Sequence, residues 1–595
     1  MNDERKFFIR VTVILIAVIF AIKLFTIQVL DSNYKLAAEN NIVQKIVEYP
    51  FRGLMNDRNG NLLVYNTPIY DLMVVPKEVV LTDTTTFCKL LSIDSTEFMD
   101  RMSAAKKYSS IHPSKFVEQL TNEQFAKFQD KLVEYPGFHI RARTVRKYQH
   151  NSLANALGYI GEISRRQLQR DTTNFYKQGD HIGISGLEEA YEQELRGSRG
   201  VSYKMVNVRG IEQGTFKNGE YDTLSRPGRD LVLTIDLDMQ TYAEELMKGK
   251  IGSVVALEPS TGEILAFVSA PSYDPNILTG KNFGSNYSQL QQDTMKPLFN
   301  RPLMAMYPPG SIFKTVNGLI AMQEGVVRPN EQIYCDGSLV ADHAPSGYYD
   351  MHNGIKYSSN NYFYQVMGRI IRQGLSDNRY TDARLGLDKW KEYVNRFGIG
   401  TPLGIDLPNE RGGFVPGSEF YNRMHGNGRW RYPHIYSLSI GQGEILMNPI
   451  QMANLGAIVA NRGFYYPPHM IKNYDLSSKY KTAIQTGIDS AYYDVVIKAM
   501  SEALMGTAPR ALVPDLTICG KTGTAQNPHG EDHSVFMAFA PMEDPKIAIS
   551  VYVENAGWGG RAAGSIASLL IEDFLKGQNS RPWLETYVLK GDFAD

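Results

Sequence analysis

Pro308-Pro309-Gly310-Ser311-Ile312-Phe313-Lys314 is the stretch on which the fold turns. Two prolines and a glycine form a turn, and the apolar residues after them read as a helix that Ser311 starts. Residues three apart share one helix face, which sets Lys314 beside the Ser311 hydroxyl. A lysine kept partly neutral by desolvation and cationic neighbours can take the serine proton. The helix N-terminus adds a positive dipole near that nucleophile. Ser-x-x-Lys alone is weak, since it begins at Ser32, Ser103, Ser311 and Ser478. The copy at 311 is set apart by two motifs C-terminal to it, in order: Ser358-Ser359-Asn360, then Lys521-Thr522-Gly523-Thr524.

Each later motif supplies something an acylating serine needs. Ser358 can relay a proton between Lys314 and a leaving amine, and the Asn360 carboxamide can hold a peptide carbonyl. Lys521 and Thr522 suit a terminal carboxylate through charge-assisted hydrogen bonds. Gly523 lets a substrate lie against a strand edge, and the backbone N–H of Thr524, paired with that of Ser311, forms an oxyanion hole. The chemistry implied is acyl transfer.

Outward from these motifs, Leu231–Ile235 reads as a strand and Asp236–Met247 as a helix with Asp236 as its N-cap. Gly252–Leu257 and Ile264–Ser269 read as a hairpin joined through Pro259-Ser260-Thr261-Gly262. Strands at Thr517–Gly520, Val535–Ala540 and Ile547–Val553 and a helix at Ala562–Leu575 complete the expectation. This order predicts a multidomain α+β protein whose main sheet, mainly antiparallel, draws on both ends of the segment and is flanked by helices. The turn-rich stretch Phe216–Arg229 marks a domain junction. Residues 31–228 are expected as a non-catalytic pedestal with a helix at Thr121–Val133, residues 229–578 as the catalytic domain, and 579–595 as a C-terminal tail.

The N-terminus has another character. Phe7–Leu30 is a nearly unbroken apolar run, long enough as a helix to cross a bilayer. Arg10 and Lys23 lie toward its ends, where their side chains can reach the headgroups. A cleaved signal peptide is the alternative, but Leu30-Asp31-Ser32-Asn33-Tyr34 lacks a small-x-small site. A retained single-pass anchor is expected, with Arg5, Lys6 and Arg10 keeping residues 1–6 cytoplasmic and the rest of the chain extracytoplasmic. Over 595 residues, a net charge of -1 with 43% hydrophobic and 21% charged residues excludes a polyanion-binding or disordered chain. The widely spaced Cys88, Cys335 and Cys519 do not make a disulfide framework.

Together, Ser311-x-x-Lys314, Ser358-x-Asn360 and Lys521-Thr522-Gly523 resemble the three motifs of the penicillin-binding protein and serine β-lactamase superfamily. Phe299-Asn300-Arg301-Pro302, Tyr307-Pro308-Pro309-Gly310, Phe397-Gly398-x-Gly400 and Gly441-Gln442-Gly443-Glu444 are similar to class B penicillin-binding proteins, in particular the penicillin-binding protein 2 type that serves cell elongation. Upstream, Arg52–Gly60, Leu157–Gly161 and Gly186-Leu187-Glu188…Leu195-Arg196-Gly197 resemble that family's pedestal motifs, whose charges hold the pedestal to itself and to the transpeptidase domain.

The resemblance implies peptidoglycan cross-linking: Ser311 attacks the penultimate D-alanine carbonyl of a stem peptide, D-alanine leaves, and a neighbouring amine takes the acyl group. β-Lactams would acylate the same serine. It further implies no cofactor, a SEDS-type RodA-like glycosyltransferase and an MreC-like scaffold as partners, and a place in the cell membrane. Some elongation-type relatives bind zinc just before the second motif, which makes Cys335, Asp342, His343 and His352 weak candidate ligands, with scattered loop polar groups as the alternative. A D-alanyl-D-alanine carboxypeptidase or β-lactamase would use the same residues, but neither needs an anchor and a pedestal. A β-lactam sensor or inactive scaffold is opposed by the intact Ser311, Lys314 and Lys521 and by the short segment before the span.

Overall fold

The computed structural model describes residues 3–26, 43–81, 83–206, 212–426, 429–472 and 478–593. The chain divides into two compact units, Met1–Gly53 with Gln193–Arg229, and Leu54–Glu192 with Asp230–Asp595. The first unit holds the helix Asp3–Phe25, of which Phe7–Phe25 is long and apolar enough to cross a membrane and is not buried by protein. Residues 27–30 of the expected span lie outside the described residues. The same unit has a three-stranded sheet in which Gly200–Val206 pairs antiparallel with both Val43–Glu48 and Glu212–Thr215.

In the second unit, residues 54–192 fold against the catalytic segment. Met55–Asn56 pairs parallel with Leu231–Val232, joining a sheet that also contains Leu62–Val74, Ser114–Leu120 and Phe138–Tyr148. The strand expected over 231–235 is therefore short; Leu233 instead bridges to Ile471. Phe87, Phe98, Phe116, Phe128, Tyr135 and Phe138 form an aromatic core between this sheet and its helices. The helix expected at 121–133 is Asn122–Gln129, opened by a Thr121/Gln124 capping box and followed by a 3₁₀ turn at Leu132–Glu134. Two of the pedestal motifs make ion pairs here. Arg58 pairs with Glu258 at 3.1 Å and Glu263 at 3.2 Å, and Arg146 Nε donates to Glu188 Oε1 at 2.7 Å with both side chains buried.

The catalytic sheet has five antiparallel strands: β1 (Gly252–Leu257), β2 (Ile264–Ala270), β3 (Cys519–Ala525), β4 (His533–Ala540) and β5 (Ile547–Val553), in the order β2-β1-β5-β4-β3. Because strand side chains alternate between faces, Ile547, Ile549, Val551 and Val553 point to one side and Ala548 and Ser550 to the other. The first set packs on the helix Ala563–Lys576 and on Leu237–Leu246, whose N-cap is Asp236 as expected. On the opposite face lies Pro449–Ala460, where the Ser550 hydroxyl donates to the Pro449 carbonyl at 2.8 Å. Every residue of that helix is buried, so it is an internal layer between the sheet and the helices beyond.

Two further expectations are corrected. The strand read at 517–520 begins at Cys519 and continues to Ala525, which carries Lys521-Thr522-Gly523-Thr524 into the sheet through full pairing with β4. The segment read as a tail after residue 578 includes the helix Pro582–Lys590, whose Leu584 and Val588, four apart, pack into the core under Ala563–Lys576. Arg581 secures its start by donating from Nε to Glu572 Oε2 at 2.8 Å.

The Arg146–Glu188 pair gives a stability prediction. Glu188→Ala leaves a guanidinium buried without its carboxylate and is expected to cost about 3–5 kcal/mol in urea unfolding of the detergent-solubilised chain. A change below about 1 kcal/mol would mean the pair behaves as a surface contact.

Candidate active site

The turn carrying Ser311 is built before the helix rather than in it. Gly310–Phe313 forms a single 3₁₀ turn, and the α-helix proper is Lys314–Gln323. Gly310 has φ 59°, and a Cβ there would lie 2.9 Å from the Thr524 carbonyl oxygen, so glycine is required on both counts. The turn is thereby pressed against the edge strand β3.

Lys314 is fully buried and its side chain runs to the second motif. Its Nζ donates to the Ser358 carbonyl at 2.6 Å, to Asn360 Oδ1 at 2.7 Å and to Ser358 Oγ at 3.2 Å. These donations go to Ser358 and Asn360 rather than to the Ser311 hydroxyl. Lys521 Nζ reaches the same hydroxyl from β3, at 2.8 Å from Ser358 Oγ and 3.1 Å from the Thr522 carbonyl. The Ser358 side chain therefore joins two buried lysines, one from the helical layer and one from the sheet. Burial lowers the Lys314 pKa well below the lysine value, with the Lys521 charge adding to the shift and Asp342 opposing it. Burial also lowers Lys521, to about 7. An amine that is neutral near pH 7 can accept a hydroxyl proton, which an ordinary lysine cannot.

Ser358 precedes the helix that follows it. It sits in the left-handed region at φ 55°, and the helix is Asn360–Ile371 with Ser359 as its N-cap. Asp342, which the sequence marked only as a weak metal candidate, holds this segment in place from a loop. Its Oδ2 accepts from Ser359 Oγ at 2.6 Å and from the Asn361 N–H at 2.8 Å, while Asn360 Nδ2 donates to the Ala341 carbonyl at 2.9 Å. These hydrogen bonds keep the Asp342 carboxyl below the usual aspartate range despite its burial. The advance signal was Asp342 itself, one of the polar residues between Cys335 and His352 ahead of the motif.

Strand β3 is the sheet's outer strand on this side. Thr524 lies opposite Ser534, yet its carbonyl accepts from Gln442 Nε2 at 2.9 Å, outside the ladder. In an antiparallel strand the N–H and C=O of one residue point the same way. The Thr524 N–H consequently faces away from β4, toward the Ser311 turn, as an oxyanion donor must. Thr522 is buried beside Lys521, and Gly523 lies between Thr522 and Thr524 on the same strand.

The four metal candidates do not assemble. Cys335 is buried in a hairpin with its thiol pKa raised to about 11 by burial, and its Sγ is 3.6 Å from the Ile333 carbonyl. Asp342 caps the second motif, His343 meets the Trp558 ring edge to face at 5.1 Å, and His352 Nε2 is 3.4 Å from Glu502. Among the described residues, no group of three or more His, Cys, Asp or Glu side chains is placed to hold a metal ion.

Residues 252–572 match the family model described as the penicillin binding protein transpeptidase domain, and residues 47–233 match that of the penicillin-binding protein dimerisation domain. The chain is 30% identical to the peptidoglycan D,D-transpeptidase MrdA of Acinetobacter baumannii, over 94% of this chain and 86% of that protein. It is similar in structure to the penicillin-binding protein PBP2 of Helicobacter pylori, solved in complex with MreC, at 24% identity and a TM-score of 0.75, covering 90% of this chain and 100% of that one. The PBP2 of Pseudomonas aeruginosa, solved in complex with WCK 5153, is 26% identical with a TM-score of 0.65, covering 91% of this chain and 99% of that one.

A lysine that titrates near 7 when folded and near 10.5 when unfolded makes stability depend on pH. Between those values the unfolded chain binds more protons, so stability rises with pH across the window and this contribution is lost as pH falls toward 7. Lys521→Met removes it. The urea midpoint of that variant is expected to rise less steeply between pH 7 and 10 than that of wild type; an identical slope would contradict a depressed Lys521.

Proposed function

The chain belongs to the penicillin-binding protein transpeptidase family, and on that premise we propose that it is a serine D,D-transpeptidase that cross-links peptidoglycan stem peptides during cell elongation and is acylated by β-lactams. The observation that carries the reading is the convergence of Lys314 and Lys521 on the Ser358 hydroxyl, beside the turn that presents Ser311. A carboxylate-terminated D-alanyl-D-alanine strand lies along β3, its terminal carboxylate on Lys521 and Thr522. Lys314 in its neutral form takes the Ser311 proton as Oγ attacks the penultimate carbonyl. The N–H groups of Ser311 and Thr524 hold the oxyanion. Collapse expels D-alanine, whose amine receives the proton from Lys314 through Ser358, and leaves an ester on Ser311. The amine of a second stem peptide then attacks that ester, giving up its proton along the same path as Ser311 is restored.

Phe7–Phe25 anchors the enzyme in the membrane. Arg5, Lys6 and Arg10 favour a cytoplasmic N-terminus and put the catalytic domain on the other side. Since the Helicobacter pylori PBP2 was solved with MreC, a scaffold of that kind is the partner expected here, alongside a RodA-like glycosyltransferase.

The test is labelling of membranes that contain the full-length chain with a fluorescent penicillin, followed by incubation with D-alanyl-D-alanine peptides with and without an amine acceptor. Wild type and a Ser103→Ala control are expected to label, Ser311→Ala to lose the band, and Lys314→Ala to acylate about 10²–10⁴-fold more slowly. A cross-linked product formed only with acceptor identifies the transpeptidase. Release of D-alanine that ignores the acceptor points to a carboxypeptidase, and unchanged labelling of Ser311→Ala rules out the proposed nucleophile.

A further inference from the structure

The segment Gly441-Gln442-Gly443-Glu444 has no role in the steps above, yet it touches both halves of the oxyanion site. On one side the Gly310 N–H, next to Ser311, donates to the Gly441 carbonyl at 2.9 Å. On the other, Gln442 Nε2 donates to the Thr524 carbonyl at 2.9 Å. The turn itself is tightly held. Gly441 has φ 70°, and a Cβ there would lie 2.1 Å from the Gly310 carbonyl oxygen. The Gln442 N–H donates to the Ser437 carbonyl at 3.0 Å, and Glu444 accepts from the buried Tyr421 hydroxyl at 2.6 Å.

Ser311 and Thr524 supply the two N–H donors from elements that share no ladder hydrogen bond: a 3₁₀ turn and a strand edge. Their separation must match an oxyanion that exists only during reaction, and a misplacement of about 1 Å can cost about 100-fold in rate. The Gln442 side chain, reaching Thr524 from the turn that holds Gly310, spans this gap. We propose that Gln442 is a positioning residue that sets the spacing of the two oxyanion donors by gripping the Thr524 carbonyl from the turn that also pins Gly310. This rests on the transpeptidase reading and adds to it a residue that need not touch substrate. Because β3 is an edge strand, nothing across the cleft in its own sheet fixes Thr524 from that side.

The role predicts an effect on the chemical step and not on capture of the ligand. Detergent-solubilised full-length protein, as wild type, Gln442→Glu and Gln442→Met, is mixed with fluorescent penicillin over a concentration series, which separates the acylation rate constant from the half-saturating concentration. Both variants nearly preserve side-chain size, and neither the Met thioether nor an ionised Glu carboxylate can donate to Thr524. The expected result is an acylation rate constant lowered about tenfold to 100-fold, a half-saturating concentration close to wild type, and an unchanged melting temperature. A folded variant with the wild-type rate constant overturns the proposal. So does a variant in which only the half-saturating concentration rises, since Gln442 would then bind ligand directly. If one variant fails to fold, the other decides; if both fail, Gln442 is needed for folding and the proposal falls. Wild type that does not acylate removes the transpeptidase reading as well, whereas wild type that acylates beside indifferent variants removes this inference alone.

Discussion

One hydroxyl, that of Ser358, takes hydrogen bonds from two lysines that have been stripped of water. Burial disfavours a charge on either amine, and the Lys521 charge adds to the effect on Lys314 against the opposing pull of Asp342, so the site disfavours double protonation. This is the constraint on which the rest depends. It makes a base out of Lys314 at a pH where a solvated lysine is a cation, and it leaves Lys521 poised to gain a proton when an anionic substrate arrives. Such an arrangement lowers stability, so the surrounding structure has to enforce it.

Enforcement comes from elements with little freedom of their own. Lys314 leaves a helix whose residues are almost all buried, and Lys521 leaves a strand paired along its length with β4. Ser358 is held between them in a left-handed conformation by the Asp342 loop, which grips the residues after it. Behind these lies Pro449–Ala460, whose Gln451 Nε2 donates to the carbonyls of Gly398, Thr401 and Gly412 and so ties three loop positions of the helical region to the layer against the sheet. Reactive geometry and fold stability are thus supported by the same hydrogen bonds.

Much of this was legible in the sequence. Ile547–Val553 and Gly252–Leu257 are continuous apolar runs with strand composition, and the structure returns both with those bounds. The three motifs converge as their order and residue types implied. What was missed has physical reasons. Cys519–Ala525 contains two glycines, a lysine and two threonines, a poor strand by propensity, and it becomes one because β4 pairs with every residue. Of the adjacent Ser358 and Ser359, sequence alone could not say which caps the helix, because the choice is made by a carboxylate in a distant loop. The helix Pro582–Lys590 shows only two inward apolar positions, too few to distinguish it from a tail before the core beneath it is known. His343 and His352 stand near the second motif in sequence, but contacts with Trp558 and Glu502 draw them apart.

Burial, not substrate, is what makes Lys314 a base. The most direct check is the pH dependence of the acylation rate constant at saturating β-lactam, measured from pH 5 to 11 on the full-length protein. With Lys314 held well below the ordinary lysine value of 10.5, the rate constant is predicted to reach its plateau well before pH 10.5 and to fall only on the acid side of that plateau. A rate constant that climbs about tenfold per pH unit through neutrality and levels off only near pH 10.5 would show an ordinary lysine, and would contradict a base made by burial.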